Sequence, residues 1–444
     1  MPSRAHTTDF KVASGARPAG LAPARTRLDN GAVVIAKETR TIPAVTINLA
    51  VRAGTVCDPP GAPGSMYLLS RVIDRGTASR TAAEIAEELD GRGTALSVSV
   101  TRHLLSIACT CLAEDFEAIL ALVADLVMAP SFPEPELATR RAEAITAIRQ
   151  DEDNPAVRAV ESLMALLYPG HPYGQPIKGT VESLERVTRD LLVDLHARWF
   201  VPGSLSIVAV GDVPPGRALE AAGRVFGGWR GPAVDPGALP PVAPAAARRR
   251  VVVPMMNKAQ ADIAYGFVAI ARSDPAYYAC SLLNNVLGQY SMGGRIGESI
   301  RERQGMAYYA FSTLDANIAP GPLVVRAGVA PSNVDRAIAS IDREVERVAR
   351  EGVDPKELQD SKQYLIGSMP RALETNAAIA GFLQTAEVFG LGLDHDVRLP
   401  ERLAAVTVDE VNAAAARILS RDRATIVVAG PYEDRQAGGR PGSD

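Results

Sequence analysis

The chain has 444 residues, of which 47% are hydrophobic, and its formal net charge is −4. This length exceeds that of one ordinary domain and is enough for two substantial hydrophobic cores. The slight negative charge provides no global field that would attract nucleic acid or anionic lipid, so neither is expected as a partner.

Strands and helices alternate along the chain in a pattern typical of α+β domains. The strands are predicted at 32–36, 45–53, 95–101, 104–111, 205–210, 250–254, 260–268, 322–329 and 424–429. The amphipathic helices are predicted at 65–75, 81–91, 113–128, 134–151, 157–168 and 333–350. Hairpin-like strand pairs between runs of helices favour mostly antiparallel sheets with helices packed on one face.

Two distant segments of the chain repeat one pattern. Residues 187–211 align without a gap on residues 406–430, at a constant offset of 219 residues. Each copy begins with a candidate helix N-cap, Thr188 or Thr407, and ends in a β-branched strand closed by glycine. The repeat indicates a duplicated α+β domain.

Composition divides this duplication into two halves joined by a linker. Pro, Gly and Ala dominate residues 227–250, which is typical of a linker that packs few side chains. The predicted divisions are a flexible N-terminus at 1–23, an N-terminal domain at 24–230, a linker at 231–249, a C-terminal domain at 250–432 and a disordered tail at 433–444.

The helix within residues 64–77, GSMYLLSRVIDRGT, has two distinct faces. Its apolar stripe follows helical spacing and comprises Leu68, Leu69, Val72 and Ile73. Its polar face comprises Tyr67, Ser70, Arg71 and Asp74. Periodicity alone predicts an ordinary amphipathic helix with a solvated polar side.

This segment and the one after it, SRTAAEIAEELDGRGTALSV, resemble the start of the insulinase/pitrilysin family, the inverzincins. In that family a helix carrying H-x-x-E-H leads into G-T and then R-T-A-x-E-I. Further similar segments include MAPSFPEPEL, YPGHPYGQPIKGTVESL and GGRIGESIRERQGMAYYAFS, in the family's order over nearly the whole chain. The resemblance implies two homologous α+β domains in a clam-like arrangement.

Position by position, the resemblance implies that the family's zinc site is degenerate here. The two zinc histidines fall on Tyr67 and Arg71, the catalytic glutamate on Ser70, and the third zinc ligand, a glutamate, on Ala147. Zinc of this kind needs imidazole nitrogens and a carboxylate, with another carboxylate to take the proton from bound water. We therefore expect no metal in this chain.

The second half keeps a pair that the family uses at its active site. Arg301 and Tyr308 match the Arg and Tyr that, in active relatives, approach the zinc site from the opposite domain. A guanidinium and a phenol can hold peptide carbonyls and a developing oxyanion. From the residues alone, an alternative interpretation stays open: Arg301 is a solvated helix arginine, and Tyr308 or Tyr309 is a strand residue that packs in the core.

The strand within residues 93–103 lies where family members offer an edge strand to a peptide. Ser97 stands where the family usually has an asparagine in this strand, so the resemblance does not extend to that residue.

The resemblance implies a non-catalytic, peptide-binding subunit of a heteromeric zinc metallopeptidase. Its expected partner is a homologous subunit that carries zinc, and Arg301 and Tyr308 would supply substrate and oxyanion contacts. The isolated chain is expected to be inactive. Two alternatives stay open: a structural or assembly subunit without a proteolytic role, and an accessory that holds a precursor peptide for maturation.

The predicted compartment is the cytoplasm. No apolar run reaches transmembrane length, and the N-terminal segment has no continuous apolar region of the kind found in secretory signals. No membrane partner is therefore expected.

Overall fold

The computed structural model describes residues 20–233, 237–289 and 294–433. Nearly all of the predicted tail and most of the predicted flexible N-terminus lie outside these residues. The described strands are β1 Ala24–Arg27, β2 Val33–Glu38, β3 Ala44–Val51, β4 Ala95–Val100, β5 Leu105–Leu112, β6 Leu205–Gly211, β7 Arg249–Pro254, β8 Ala261–Val268, β9 Ala307–Leu314, β10 Pro322–Val329 and β11 Thr425–Gly430.

Helices fill the intervals between the strands. In chain order they are α1 Ser65–Val72, α2 Ala82–Gly91, α3 Phe116–Met128, α4 Glu134–Glu152, α5 Pro155–Leu167, α6 Val181–Arg186, α7 Arg189–Trp199, α8 Pro215–Phe226, α9 Tyr277–Asn284, α10 Val334–Glu351, α11 Pro355–Ala372, α12 Asn376–Val388, α13 His395–Ala405 and α14 Val408–Ile418. Within the described residues, no helix has both the length and the apolarity needed to cross a bilayer.

The strands form two sheets with the same topology. The first sheet has the order β1-β2-β6-β3-β5-β4, and the second has the order β7-β11-β8-β10-β9. In each sheet one pair is parallel, β2 with β6 and β7 with β11, and the other pairs are antiparallel. Apart from the additional β1, the two orders correspond strand for strand, which confirms the predicted duplication and the predicted fold class.

Each half sends one helix to the sheet of the other half. Helix α5 packs on β8 and β11 of the second sheet, and α12 packs on β6 and β3 of the first. At Gly266 the approach is so close that an added Cβ would lie 2.7 Å from the Leu163 side chain. Leu383 packs with Ile35 and Val208 in the reciprocal contact.

This exchange covers both faces of each sheet, because helices of the same half occupy the opposite face. The consequence is visible in β8, whose residues are all buried, as expected for a strand covered on both sides. The predicted helices on one face are therefore present, and a helix from the other half lies on the second face.

The predicted helix caps are confirmed. The Thr188 hydroxyl accepts a hydrogen bond from Leu191 N at 3.2 Å, and Thr407 accepts one from Glu410 N at 3.2 Å. The sequence prediction missed the strands β1 and β9 and the helices α6, α8, α9, α12 and α13. Between α8 and β7, the described residues contain no helix or strand, which is where the linker was predicted.

Candidate functional site

Helix α1 is anchored at its N-terminus by a carboxylate from the preceding loop. Asp58 accepts hydrogen bonds from Gly64 N and Met66 N, each at 2.7 Å. Gly64 lies in the left-handed region, with φ of 87°, where glycine avoids the steric cost that other residues meet. Burial raises the pKa of Asp58 to about 7, although the two hydrogen bonds act in the opposite direction and lower it. The start of α1 is thus held in one position.

The polar face of α1 opens into a cavity. Ser70 is 3% exposed, and its hydroxyl donates to Tyr67 O at 2.7 Å, so it is used within the helix. Arg71 points outward, with Nη2 3.7 Å from Glu143 Oε2 of α4. Ala147 lies one turn beyond Glu143 on α4, which packs against α1. Tyr67, Ser70 and Arg71 line the cavity, whereas Ala147 is not among its lining residues.

The donor set at these positions does not fit zinc. A phenol, a hydroxyl, a guanidinium and a methyl group stand where the family has two imidazoles and two carboxylates, and the one hydroxyl that is buried is already hydrogen-bonded. Across the described segments, no group of three His, Cys, Asp or Glu side chains is placed to hold a metal ion. No chemical step is therefore assigned to a metal in this chain.

The cavity has a volume of about 480 Å³ and lies beside the outer edge of the first sheet. Its walls come from α1, from the edge strand β4 and the loop after it, from the C-terminal end of α4, from α5 and from the loop that follows α5. The lining includes Val98, Ser99, Val100, Arg102, Asp151, Glu161, Met164, Gln175 and Lys178. Sequence reasoning identified α1 and β4 but missed the charged residues of the other walls.

The charged groups of the cavity differ in how well they are paired. Lys178 Nζ lies 2.5 Å from Asp151 Oδ2, and Arg158 lies 3.6 Å from Glu161. Burial raises the pKa of Glu161, and the neighbouring Asp151 adds to the increase. Arg102 instead donates to the carbonyl oxygens of Pro172 and Gln175, at 3.4 and 3.3 Å.

Aromatic and imidazole side chains join the rim of the cavity to the second half. Tyr173 Oη accepts a hydrogen bond from Ala319 N at 3.1 Å and lies 2.5 Å from His103 Nε2. Burial, with a contribution from Arg102, lowers the pKa of His103 to about 4, so the ring is neutral at pH 7. The neutral ring can accept a hydrogen bond from the Tyr173 hydroxyl, and the bond from Ala319 N fixes this loop against the second half.

Arg301 lies in an unusual helical turn. It belongs to the segment Gly297–Glu302, where the hydrogen bond from Arg303 N to Glu298 O, at 2.9 Å, spans five residues and is of the π type. Such turns are rare and are frequent at functional sites. The Arg301 side chain is partly exposed, with Nε 3.3 Å from Glu302 Oε1.

Tyr308 lies at an irregularity of the edge strand β9. Gly328 pairs with Tyr309 and Val329 pairs with Ala307, so Tyr308 is the extra residue of a β-bulge. Its side chain is 88% exposed. Bulges on edge strands redirect a side chain, and here the phenol faces solvent. Neither Tyr308 nor Arg301 lines the cavity beside α1.

The neighbouring tyrosine has a different environment. Tyr309 Oη donates to Asp262, a carboxylate that is 4% exposed. Burial, reinforced by the hydrogen bond with Asp262, raises the pKa of Tyr309. Of the two tyrosines, the structure therefore packs Tyr309 and leaves Tyr308 accessible. The reading as a packed strand residue, given for Tyr308 or Tyr309, is wrong for Tyr308 and agrees with the structure for Tyr309.

Comparison with known proteins matches two family models in succession. Residues 33–181 match the insulinase model of peptidase family M16, and residues 186–365 match the model of the peptidase M16 inactive domain. An uncharacterized zinc protease of Mycobacterium tuberculosis is 27% identical over 433 residues, with 94% of this chain and 95% of the relative covered. One from Streptomyces coelicolor is 26% identical over 423 residues, covering 93% and 90%.

Solved structures show the same arrangement. The crystal structure of a peptidase M16 inactive domain from Pseudomonas fluorescens has a TM-score of 0.85 and 27% identity, covering 92% of this chain and 98% of the other. A protease from Helicobacter pylori matches at a TM-score of 0.85 and 17% identity, covering 92% and 99%, which shows the shared fold. With the lost zinc positions on α1, these matches show that the chain belongs to the insulinase family, peptidase family M16, as a member without the H-x-x-E-H motif.

Proposed function

We propose that this chain is the non-catalytic, peptide-binding subunit of a heteromeric zinc metallopeptidase. A homologous subunit carries the zinc, and this chain contributes Arg301 and Tyr308 to the same active site. The match to the M16 inactive-domain model supports this assignment. The cytoplasm stays the predicted compartment of the assembly.

The observation that carries the proposal is the backbone around this pair. Arg301 sits in a π-type turn, and Tyr308 is the extra residue of a bulge. Both irregularities interrupt regular backbone hydrogen bonding. Each therefore has a cost in folding free energy that other contacts of the fold must offset. Gly305, with φ of 57°, forms the turn between them. The result is an accessible guanidinium and an accessible phenol on one short stretch of chain.

The chemistry follows from these two groups. Hydrolysis of a peptide places negative charge on the scissile carbonyl oxygen in the transition state, and fixed hydrogen-bond donors at that oxygen lower the barrier. The Arg301 guanidinium offers up to five N–H donors, and the Tyr308 hydroxyl offers one. In the proposed complex these donors face a carbonyl whose attacking water is activated by the partner subunit.

The test is to reconstitute the enzyme. The chain is co-expressed with an H-x-x-E-H homologue from the same organism, and hydrolysis of quenched fluorescent peptides is measured. We expect the chain alone to be inactive and the complex to be active. Arg301→Ala and Tyr308→Phe should each lower kcat/KM by about a hundredfold, the usual effect of losing one oxyanion donor.

The matched control is Arg303→Ala, because Arg303 is an exposed arginine of the same segment that pairs with Glu298 at 3.1 Å. This variant should retain full activity. Full activity of folded Arg301 and Tyr308 variants would remove the proposed role. An assembled but inactive complex would favour the structural or assembly alternative, and a co-purifying precursor peptide would favour the maturation alternative.

A further inference from the structure

Among the described residues, two guanidinium groups of the cavity beside α1 have no carboxylate within hydrogen-bond distance. Arg71 comes from α1 and Arg102 from the loop after β4, and both line the same 480 Å³ space. The inference drawn from them rests on the proposed function, since it concerns which peptides this subunit binds.

Arg71 is weakly paired. Among the described residues, Arg71 forms an ion pair with Glu143, at 3.7 Å and through a single oxygen, and both side chains are partly exposed. Asp74 interacts with Arg71 at longer range. An exposed pair at this distance contributes little to stability, because water screens the attraction. The guanidinium can therefore rearrange at little cost to meet a carboxylate in the cavity.

Arg102 is held in place by uncharged groups. Its donors reach two loop carbonyls at 3.3 Å or more, and its guanidinium carbon lies 5.3 Å from the centre of the Tyr173 ring. In the described part of the chain, no carboxylate forms an ion pair with Arg102, and Asp315 favours its charged form only at longer range. Burial lowers the pKa of Arg102, so an arriving carboxylate would stabilise its charged form.

The acidic residues of the cavity do not satisfy these two arginines. Asp151 is engaged by Lys178 at 2.5 Å, and Glu161 lies 3.6 Å from Arg158, one turn earlier on α5. Arg71 and Arg102 thus remain the groups available to an anionic ligand.

The cavity also borders a free strand edge. Strand β4 is the last strand of its sheet, and Val98, Ser99 and Val100 form part of the cavity wall. An extended peptide can pair with such an edge through main-chain hydrogen bonds, and alternate side chains then enter the adjoining pocket. A peptide added to β4 would bring a carboxylate within the same cavity as the two arginines.

We propose that this cavity is a specificity pocket in which Arg71 and Arg102 bind a carboxylate of a peptide that pairs with β4. The ligand class is therefore an extended acidic peptide. The carboxylate belongs either to an acidic side chain or to the peptide C-terminus, because a guanidinium binds both in the same bidentate manner.

Fluorescence anisotropy with the full chain tests this assignment. The probes are three labelled eight-residue peptides of one extended sequence: one with a central glutamate and an amidated C-terminus, one with glutamine in its place, and the glutamine peptide with a free C-terminal carboxylate. We expect one of the two carboxylate peptides to bind about tenfold more tightly than the neutral peptide, as for charge-assisted hydrogen bonds. Which of the two binds identifies the source of the carboxylate.

Variants separate recognition from folding. Arg71→Gln and Arg102→Gln should each abolish the preference while leaving the weak binding of the neutral peptide. Arg102→Lys, which retains the charge, should keep part of the preference even if loss of the carbonyl contacts loosens the loop. The control Arg217→Gln changes an exposed arginine of α8 that pairs with Glu117, and it should have no effect.

Two results would overturn the inference, and they differ in what they say of the proposed function. Equal binding of all three peptides, unchanged in Arg71→Gln, would reject the carboxylate pocket and leave peptide binding in place. Absence of binding by every peptide would reject both the pocket and the peptide-binding role of the chain.

Discussion

Strands β4 and β9 occupy the same place in two sheets of the same order, yet they differ in what surrounds them. The free edge of β4 borders a cavity walled by α1, whose zinc positions are replaced. Strand β9 has a bulge at its start, and the bulge turns Tyr308 into solvent. Two copies of one scaffold have therefore acquired different surfaces.

The difference shows which parts of a duplicated domain are free to change. Strand order, capping threonines and the exchanged helices α5 and α12 recur in both halves, because each contributes to burial or to backbone hydrogen bonding. Solvent-exposed side chains at the sheet edges, such as Tyr308, contribute to neither, so substitution there alters chemistry at little cost in stability.

The largest effect is expected from substitutions that restore a metal site in the first half. If α1 and α4 retain the frame of the zinc site, the triple variant with Tyr67→His, Arg71→His and Ala147→Glu should bind about one zinc with micromolar affinity, roughly 8 kcal/mol. Metal analysis after gel filtration and the rise in Tm on zinc addition measure this.

The control places the new carboxylate one residue earlier on α4, at the exposed Thr146, in place of Ala147. That variant should bind zinc far more weakly, because the carboxylate leaves the helix face that meets α1. A folded triple variant without zinc would show that the positions assigned on α1 and α4 are wrong.

The two exchanged helices, α5 and α12, should each contribute strongly to the stability of the fold. Leu163 of α5 and Leu383 of α12 are both fully buried against the sheet of the other half. Leu163→Ala and Leu383→Ala should each lower the free energy of unfolding by about 2–5 kcal/mol, since each leaves a cavity. Urea denaturation measures the change, and Leu112→Ala, at an exposed leucine, should stay within about 0.5 kcal/mol.

The adjacent tyrosines of β9 should separate stability from activity. Tyr309→Phe removes the hydrogen bond to buried Asp262 and should cost about 1–3 kcal/mol, the usual cost of leaving a buried acceptor unsatisfied. Tyr308→Phe should change the free energy of unfolding by less than about 0.5 kcal/mol. Thermal unfolding of both variants gives the comparison, and a larger loss at Tyr308 would contradict its exposed position.

The smallest effect concerns pH. Burial lowers the pKa of His103 in the first half, and of His395 in the second, from 6.5 to about 4. The unfolded chain therefore takes up protons at these groups below pH 6.5, whereas the folded chain does so only near pH 4. Stability should fall as the pH drops through this window. We expect Tm to decrease between pH 7 and pH 5.

His103→Gln and His395→Gln should each flatten that decrease, and together they should remove more of it than either alone. The exposed-surface variant Arg217→Gln serves as the reference. An unchanged pH profile in the double variant would show that other groups control the acid sensitivity.

Much of the fold was predictable because it follows local patterns. Alternation and helical spacing located most strands and helices, and the constant offset between the halves revealed the duplication. Helix α12 was missed because it is apolar around much of its surface and contains Gly381. Strand β1 has four residues, and β9 is interrupted by its bulge, so neither shows a clear alternation.

The candidate site was predictable only in part. Sequence reasoning placed Tyr67, Ser70 and Arg71 on one helix face, and the structure brings these three into one cavity. It did not find Arg102 or Glu161, because they come from a loop and from α5, at least 30 residues from α1, and no local spacing links them.

Residue order alone established the family resemblance, the loss of zinc ligands and the duplicated α+β pattern, since these depend on residue types at fixed local spacings. Tertiary packing decided which helix covers which sheet, which tyrosine faces solvent and which arginines share a cavity. These features depend on contacts between residues that are distant in sequence. Examples are the close packing of Leu163 on Gly266 and the bulge in β9 that turns Tyr308 toward solvent. No local pattern specifies those contacts.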